Sequence, residues 1–328
     1  MFKIGIIGAG RIAHVHANAV SAHPDAQLVM VADPFGDSAA QLAQKYGAKA
    51  STDPADVFAA DDVDAVIICS PTPFHVDHIL AAHAAGKPAL CEKPIAMDMA
   101  EVDRLKAAVG DAKPMVMMGF NRRFDPSFNK IHRLLEEGAI GDLEQVTIIS
   151  RDPAAPPREY IAQSGGIFKD MTIHDFDTAR YFLGDVTSVY AVGQHLDPDL
   201  ADTGDYDGVV IVLTNSDGKS ATITNSRHCA SGYDQRLEVF GNKGMLNAEN
   251  IRPTTVRLSN GTTTDAQDPY LDFFLTRYTE AYAYELDAFL ESIRAGAAPS
   301  PSIDDAVKAL VIAEAAAESA HTGKQVQL

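Results

Sequence analysis

Phe2-Lys3-Ile4-Gly5-Ile6-Ile7-Gly8-Ala9-Gly10-Arg11-Ile12-Ala13 is the stretch that decides the fold. Phe2 to Ile7 is a β-branched apolar run, and a glycine turn follows at once. A helical pattern of Ile12, Val15, His16, Ala19 and Val20 then runs to Pro24. Strand, glycine turn and helix, in that order, form the phosphate-binding half of a dinucleotide fold. Gly8 permits the tight turn, Gly10 lets the backbone approach a pyrophosphate, and Ala13 fills the third fingerprint position. The helix N-terminus then offers free N–H groups to phosphate charge. Gly-rich strand ends are common, so the context matters. Leu28-Val29-Met30-Val31-Ala32 reads as the next strand, with Asp33 at its end. A carboxylate there can accept hydrogen bonds from both ribose hydroxyls and repels a 2′-phosphate, and Pro34-Phe35 supplies no compensating cation. NAD is therefore expected rather than NADP, with Gly8, Ala9, Gly10, Arg11, Ile12 and Asp33 as cofactor residues. The competing reading makes Asp33 an ordinary turn residue.

Beyond this unit, short apolar runs at 64–69, 89–91 and 115–118 alternate with helical patterns over 37–46, 74–85 and 98–109. Such alternation predicts a doubly wound parallel sheet through about residue 119. From Asp142 the texture changes to strands of alternating polarity, at 142–150, 186–194, 208–214, 219–226 and 234–240. Helices are expected near 279–294 and 303–321. The fold class is α/β: an N-terminal Rossmann domain over 1–119, and an α/β domain over 120–328 with a large, mostly antiparallel open sheet for substrate binding and oligomerisation. At 328 residues the chain exceeds a usual single core, which favours two domains.

The net charge of −18 is spread along the chain. It disfavours nucleic acid and anionic membranes, and a small neutral substrate fits better. Cys69, Cys91 and Cys229 make neither a disulfide framework nor a metal-ligand spacing, and the histidines His14, His16, His75, His78 and His83 form no coherent ligand set. No metal is expected. A strand begins at the first residues and no apolar run is long enough to span a bilayer, so a cytoplasmic protein without signal peptide is expected.

Gly165-Gly166-Ile167-Phe168-Lys169-Asp170-Met171-Thr172-Ile173-His174-Asp175-Phe176-Asp177 carries the chemistry. Two glycines lead into a predicted helix, and Asp170 and His174 sit four residues apart on one face. A histidine beside a carboxylate is an acid/base pair, although a helix-surface ion pair has the same spacing. Asp177, one turn further, reads as structural. Cys91-Glu92-Lys93-Pro94 ends a strand of the first domain, where strand ends face the cofactor, and Lys93 can donate to a substrate hydroxyl there. The proline-rich segment 151–165 reads as a wall of the site.

Together these pieces resemble the Gfo/Idh/MocA oxidoreductase family. The resemblance is carried by Gly8 to Ile12, by Cys69-Ser70-Pro71-Thr72 with His75, by Glu92-Lys93-Pro94, by Gly119-Phe120-Asn121-Arg122-Arg123-Phe124, and by Gly165 through Asp177. Within the family, the bacterial inositol 2-dehydrogenases, acting on myo- or scyllo-inositol, are the nearest likeness. The resemblance implies Ser70, Thr72, His75 and Glu92 on the nicotinamide side, and Lys93, Asp170 and His174 at the catalytic positions. It also implies an often-cis Lys93-Pro94 bond, and a homodimer or homotetramer formed through the open sheet. Arg122, Asp152, Tyr233 and Tyr282 fall where related enzymes contact polyol hydroxyls, together with Lys93, Asp170 and His174. Asp152 stands where some relatives have an amide, which leaves the substrate isomer open. Arg122-Arg123 could equally cap its strand and pair with Asp125.

The mechanism implied is oxidation of a ring secondary alcohol of an inositol by NAD, giving the keto-inositol. His174 takes the hydroxyl proton, Asp170 orients the imidazole, and Lys93 donates to the reacting oxygen. The alternatives are a pyranose or aldose dehydrogenase on the same scaffold, and a non-catalytic dinucleotide-binding regulator. A short-chain dehydrogenase is excluded, because none of the ten tyrosines has lysine four positions on. A zinc alcohol dehydrogenase lacks its cysteines.

Overall fold

A computed structural model describes residues 1–328, the side chain of residue 162 excepted. Six strands, β1 (Phe2–Ile7), β2 (Ala26–Ala32), β3 (Lys49–Ser51), β4 (Ala65–Ile68), β5 (Ala89–Glu92) and β6 (Val116–Gly119), form a parallel sheet in the order β3-β2-β1-β4-β5-β6. This is the doubly wound dinucleotide order, with its switch point between β1 and β4. Helices α1 (Arg11–Ala22), α2 (Gly36–Tyr46), α3 (Pro54–Ala59), α4 (His75–Ala84) and α5 (Met99–Val109) connect the strands. Burial on both faces explains the continuous apolar character of β4, whose four residues are all buried. Local chemistry sets the helix ends. Asp53 and Asp98 accept backbone N–H groups as N-caps of α3 and α5, and Gly47 closes α2 in the left-handed region.

The remaining strands are β7 (Leu143–Arg151), β8 (Val186–Gln194), β9 (Gly208–Asn215), β10 (Ser220–Ser226), β11 (Asp234–Gly241), β12 (Gly244–Ala248), a small ribbon of β13 (Arg257–Leu258) and β14 (Ala266–Gln267), and β15 (Val326–Gln327). Seven of them make a sheet in the order β12-β11-β7-β10-β9-β8-β15. All its pairings are antiparallel except β10 with β7. The helices of the second half of the chain are α6 (Pro126–Glu136), α7 (Arg158–Ser164), α8 (Gly166–Asp170), α9 (Ile173–Leu183), α10 (Phe274–Arg277), α11 (Thr279–Ala295) and α12 (Ile303–Thr322). One face of this sheet is apolar and buried, through Val146, Ile148, Val189, Val209, Ile211, Ala221, Ile223 and Leu237. On the other face Tyr190, Val192, Val210 and Val212 are exposed, and cross-strand pairing sets Tyr190 opposite Val212 and Val192 opposite Val210.

Packing divides the chain into two compact units: residues 1–124 with 279–310, and residues 125–278 with 311–328. The first draws in α11 because Leu286, Phe289 and Leu290 share a core with Ile4, Ala17, Val20 and Leu28. That partnership is invisible to a change of sequence texture, which placed the boundary at 119/120. No helix among the described residues is long and apolar enough to cross a membrane.

Candidate active site

The glycine turn after β1 is built for a close approach. Gly8 has φ +91°, and a Cβ there would stand 2.6 Å from the carbonyl oxygen of Cys69. A side chain at this position would push β1 away from the end of β4. Gly10 is the N-cap of α1 without a side-chain cap, and a Cβ there would meet nothing within 4 Å. Open space therefore stands before the first N–H groups of a twelve-residue helix, which is the cradle a pyrophosphate needs. Ala9 is buried, Ile12 half-buried and Arg11 exposed. Asp33 accepts the Ala9 N–H at 2.7 Å through Oδ2 and the Phe35 N–H at 2.8 Å through Oδ1. It is thus a turn residue and also the tie between β2 and the glycine turn, and each oxygen keeps a lone pair for a ribose hydroxyl. These residues fit NAD.

At the ends of β4 and β5, His75 is fully buried, with Nε2 2.7 Å from the Ser70 carbonyl and Nδ1 2.7 Å from the Pro94 carbonyl. Burial pushes its pKa down, while the two carbonyls pull the other way. His75 is therefore a brace between the two strand ends, under the cis Lys93-Pro94 bond. Ser70 Oγ meets His78 Nδ1 at 2.9 Å, and Thr72 opens a short 3₁₀ turn. Glu92 is buried, with Oε1 2.7 Å from His16 Nε2, and Oε2 accepts the Lys93 N–H at 3.3 Å. Lys93, half-buried, is thus fixed through its backbone from both sides. Cys69 and Cys91 are buried thiols, and burial pushes both pKa values well up, so neither is reactive.

Two groups in this layer escaped the sequence reading. His16 reads as one more core or solvated histidine, yet it holds Glu92. Its signal was its place on the core face of α1, beside Ala13, Ala17 and Val20, where an imidazole needs a partner. Glu285 gave no signal. It is wholly buried in α11, and neither carboxylate oxygen has a hydrogen-bond partner among the described residues. Burial, and then the Glu92 charge, push its pKa well up. Tyr282, buried one turn earlier, sets its ring edge-on to His16 at 5.4 Å. Arg122 is buried in the 3₁₀ turn Asn121–Phe124. Asp125 turns to Arg277 and to the start of α6. It caps that helix, and its ion pair with Arg277 is fully buried, while Arg123 bonds Asp305 at 3.1 Å.

In the second unit, Asp170 and His174 do not share one helix. Asp170 is the last residue of α8, and His174 is the second of α9. Two sets of bonds mark the break: the Met171 and Thr172 N–H groups both donate to the Ile167 carbonyl, and Thr172 Oγ1 donates to the distant Asn225 Oδ1 at 2.6 Å. The ladder slips by one residue there, a slip that spacing alone could not reveal. Asp170 accepts from Tyr160 Oη at 2.9 Å, and Arg227 Nη2 lies 3.9 Å from its other oxygen. Tyr160 stands on α7, a short helix inside the proline-rich segment. Asp175 and Asp177 are buried, and Asp175 bonds Asn225. Asp152 is half-buried just after β7, and its N–H donates to Ser226. Tyr233 is buried just before β11, edge-on to Phe273 and Tyr278. Lys93, Arg122 and Tyr282 thus belong to the first unit, and Asp152, Asp170, His174 and Tyr233 to the second. Among the described residues, no group of three His, Cys, Asp or Glu side chains could hold a metal ion.

Comparison with known proteins agrees along the whole chain. Residues 2–120 match the Gfo/Idh/MocA model described as an oxidoreductase family with an NAD-binding Rossmann fold, and residues 128–247 match a C-terminal domain of the same family. Inositol 2-dehydrogenase of Rhizobium meliloti is 48% identical over 99% of both chains. The crystal structure of a myo-inositol dehydrogenase from Corynebacterium glutamicum is 52% identical, with a TM-score of 0.97 over 100% of this chain and 99% of that one. A scyllo-inositol dehydrogenase from Lactobacillus casei, solved with NAD(H) and scyllo-inositol, has 29% identity and a TM-score of 0.91, over 100% and 99%.

Proposed function

The chain belongs to the Gfo/Idh/MocA oxidoreductase family, and on that premise we propose that it is an NAD-dependent dehydrogenase that oxidises a ring secondary alcohol of an inositol to the keto-inositol. The observation that carries this reading is whole-length similarity, at 48% identity, to a protein named inositol 2-dehydrogenase. NAD, when bound, supplies the hydride acceptor. The glycine turn, the open start of α1 and Asp33 hold its phosphates and adenosine ribose, and the Asp33 carboxylate turns away a 2′-phosphate. Ser70, Thr72, His75 and Glu92 support the nicotinamide side, with His75 and Glu92 acting through the backbone they brace.

On the substrate side, His174 takes the hydroxyl proton during oxidation. Asp170 orients the imidazole and stabilises its protonated form. Lys93 donates to the reacting oxygen and opposes the build-up of negative charge on it. Arg122, Asp152, Tyr233 and Tyr282 contact the remaining hydroxyls. Two features support Asp170 in this role: its carboxylate is held from both sides, and it stands at a helix break that frees it from a regular helical face. The protein works as a cytoplasmic homodimer or homotetramer. The exposed Tyr190, Val192, Val210 and Val212 of the open sheet supply an apolar face for assembly.

The test is NADH formation with myo-, scyllo- and chiro-inositol, D- and L-glucose and xylose, repeated with NADP. Strong turnover of one inositol with NAD is expected. Turnover on pyranoses alone would keep the chemistry and replace the substrate. Silence throughout, with NAD still bound tightly, would make the protein a regulator.

A further inference from the structure

Beside Asp170 stands a buried ion pair that plays no part in the mechanism above. Arg227 follows β10, and its side chain is only 1% exposed. Its Nη2 lies 2.9 Å from Asp205 Oδ2 and 3.9 Å from Asp170 Oδ2. Its own backbone N–H donates to the Asp207 carbonyl at 2.7 Å, which anchors the base of the side chain. Asp205 uses its second oxygen to accept the Ile167 N–H at 3.0 Å, in the first turn of α8. Gly166 makes this possible. Its φ is +80°, and a Cβ there would stand 2.8 Å from Asp205 Oδ1. The Gly165-Gly166 pair thus admits the Asp205 carboxylate to the start of the short helix that ends in Asp170.

A buried guanidinium needs a carboxylate partner, and a single one would satisfy the charge. Arg227 instead meets two, at unequal distances. The nearer, Asp205, neutralises the cation. The farther, Asp170, is steadied in orientation, and its negative charge remains available to an imidazolium. Because Asp205 also accepts the Ile167 N–H, the same carboxylate ties Arg227 to the first turn of α8.

We propose that Arg227 and Asp205 form a buried clamp that positions the Asp170 carboxylate for proton transfer, so that both are positioning residues for the reaction. This rests on the reading of Asp170 and His174 as the acid/base pair. Loss of the Asp205 charge leaves Arg227 without its nearer partner. The guanidinium then pulls on Asp170 and competes with the imidazole for its charge.

A double-variant cycle on the full-length protein, with NAD and the preferred inositol, tests the clamp. D205N keeps the side-chain shape and the acceptor for Ile167. It should lower kcat about 10-fold and leave NAD affinity unchanged. Because the clamp acts through Asp170, D205N/D170N should be no slower than D170N alone, within about threefold. A merely structural pair would give effects that multiply, and that result would overturn the proposal. Should D205N fail to fold, R227K and R227K/D170N replace it in the cycle, with the same expectation of non-multiplying losses. D170N slowed with D205N at full kcat removes the clamp alone. D170N at wild-type turnover removes the acid/base reading, and the clamp with it.

Discussion

Two buried or half-buried acids show how one residue type takes opposite roles. Asp170 has a donor or cation at each oxygen, and its neighbour in sequence, His174, is the proposed base. Replacing His174 with alanine should lower kcat about 10²–10⁴-fold, with NAD affinity unchanged by fluorescence titration. Normal turnover at neutral pH would remove His174 from the mechanism. Glu285 is the contrary case, a carboxyl with no partner among the described residues and a pKa raised by burial. Its folded-state pKa lies above the unfolded value, so the native state binds the extra proton and stability declines as pH rises from about 4.3 toward the folded pKa. Glutamine copies the neutral acid and carries no such pH dependence. E285Q should therefore melt near the wild type at pH 4 and at least about 2 °C above it at pH 8, and calorimetry across that range is the check. A constant difference would show that folding does not raise the Glu285 pKa. The sequence offered Asp170 and His174 through spacing. It offered nothing for Glu285, because an i, i+3 neighbour of a buried tyrosine looks the same whether the helix face meets water or a core.

At the scale of elements, the first strand–turn–helix unit separates folding from binding. Gly8 faces the Cys69 carbonyl at a left-handed φ, whereas Gly10 faces open space. Gly8→Ala should lower stability by roughly 1–3 kcal/mol, measured by urea unfolding, because both sterics and φ oppose it. Gly10→Ala should leave the melting point within about 2 °C and weaken NAD at least about 10-fold, because the methyl group occupies only the cradle. Equal NAD affinity in Gly10→Ala would disprove the cradle. The element boundaries were largely legible. The predicted strands 142–150, 186–194 and 219–226 are observed as Leu143–Arg151, Val186–Gln194 and Ser220–Ser226. Period-two patterns fix strands well when one face is buried. The predicted helix through Asp170 and His174 came out as two, because a side-chain bond from Thr172 to Asn225 lies outside anything a local pattern encodes.

For the whole molecule, the open sheet is the outstanding feature. Tyr190, Val192, Val210 and Val212 form a contiguous exposed apolar patch across β8 and β9, with Thr222 opposite Val212 on β10. If the proposed assembly uses this face, charge at its centre, as V212E, should shift sedimentation velocity to smaller species, with the unit's own fold retained by circular dichroism. An unchanged sedimentation coefficient would take assembly off this face. The amino-acid sequence by itself determined the dinucleotide order of β1, turn and α1, the α/β class and the strands of the second sheet. Each of these is written in residues close together in the chain, where turn sterics, strand periodicity and helix-end donors act locally. Tertiary structure alone decided that α11 joins the first unit, that His16 and Glu285 gather at Glu92, and that Asp205 and Arg227 close on Asp170 from 35 and 57 positions further along the chain. Burial and charge pairing act through space, and the partners of a buried charge are fixed only once the chain has folded around it.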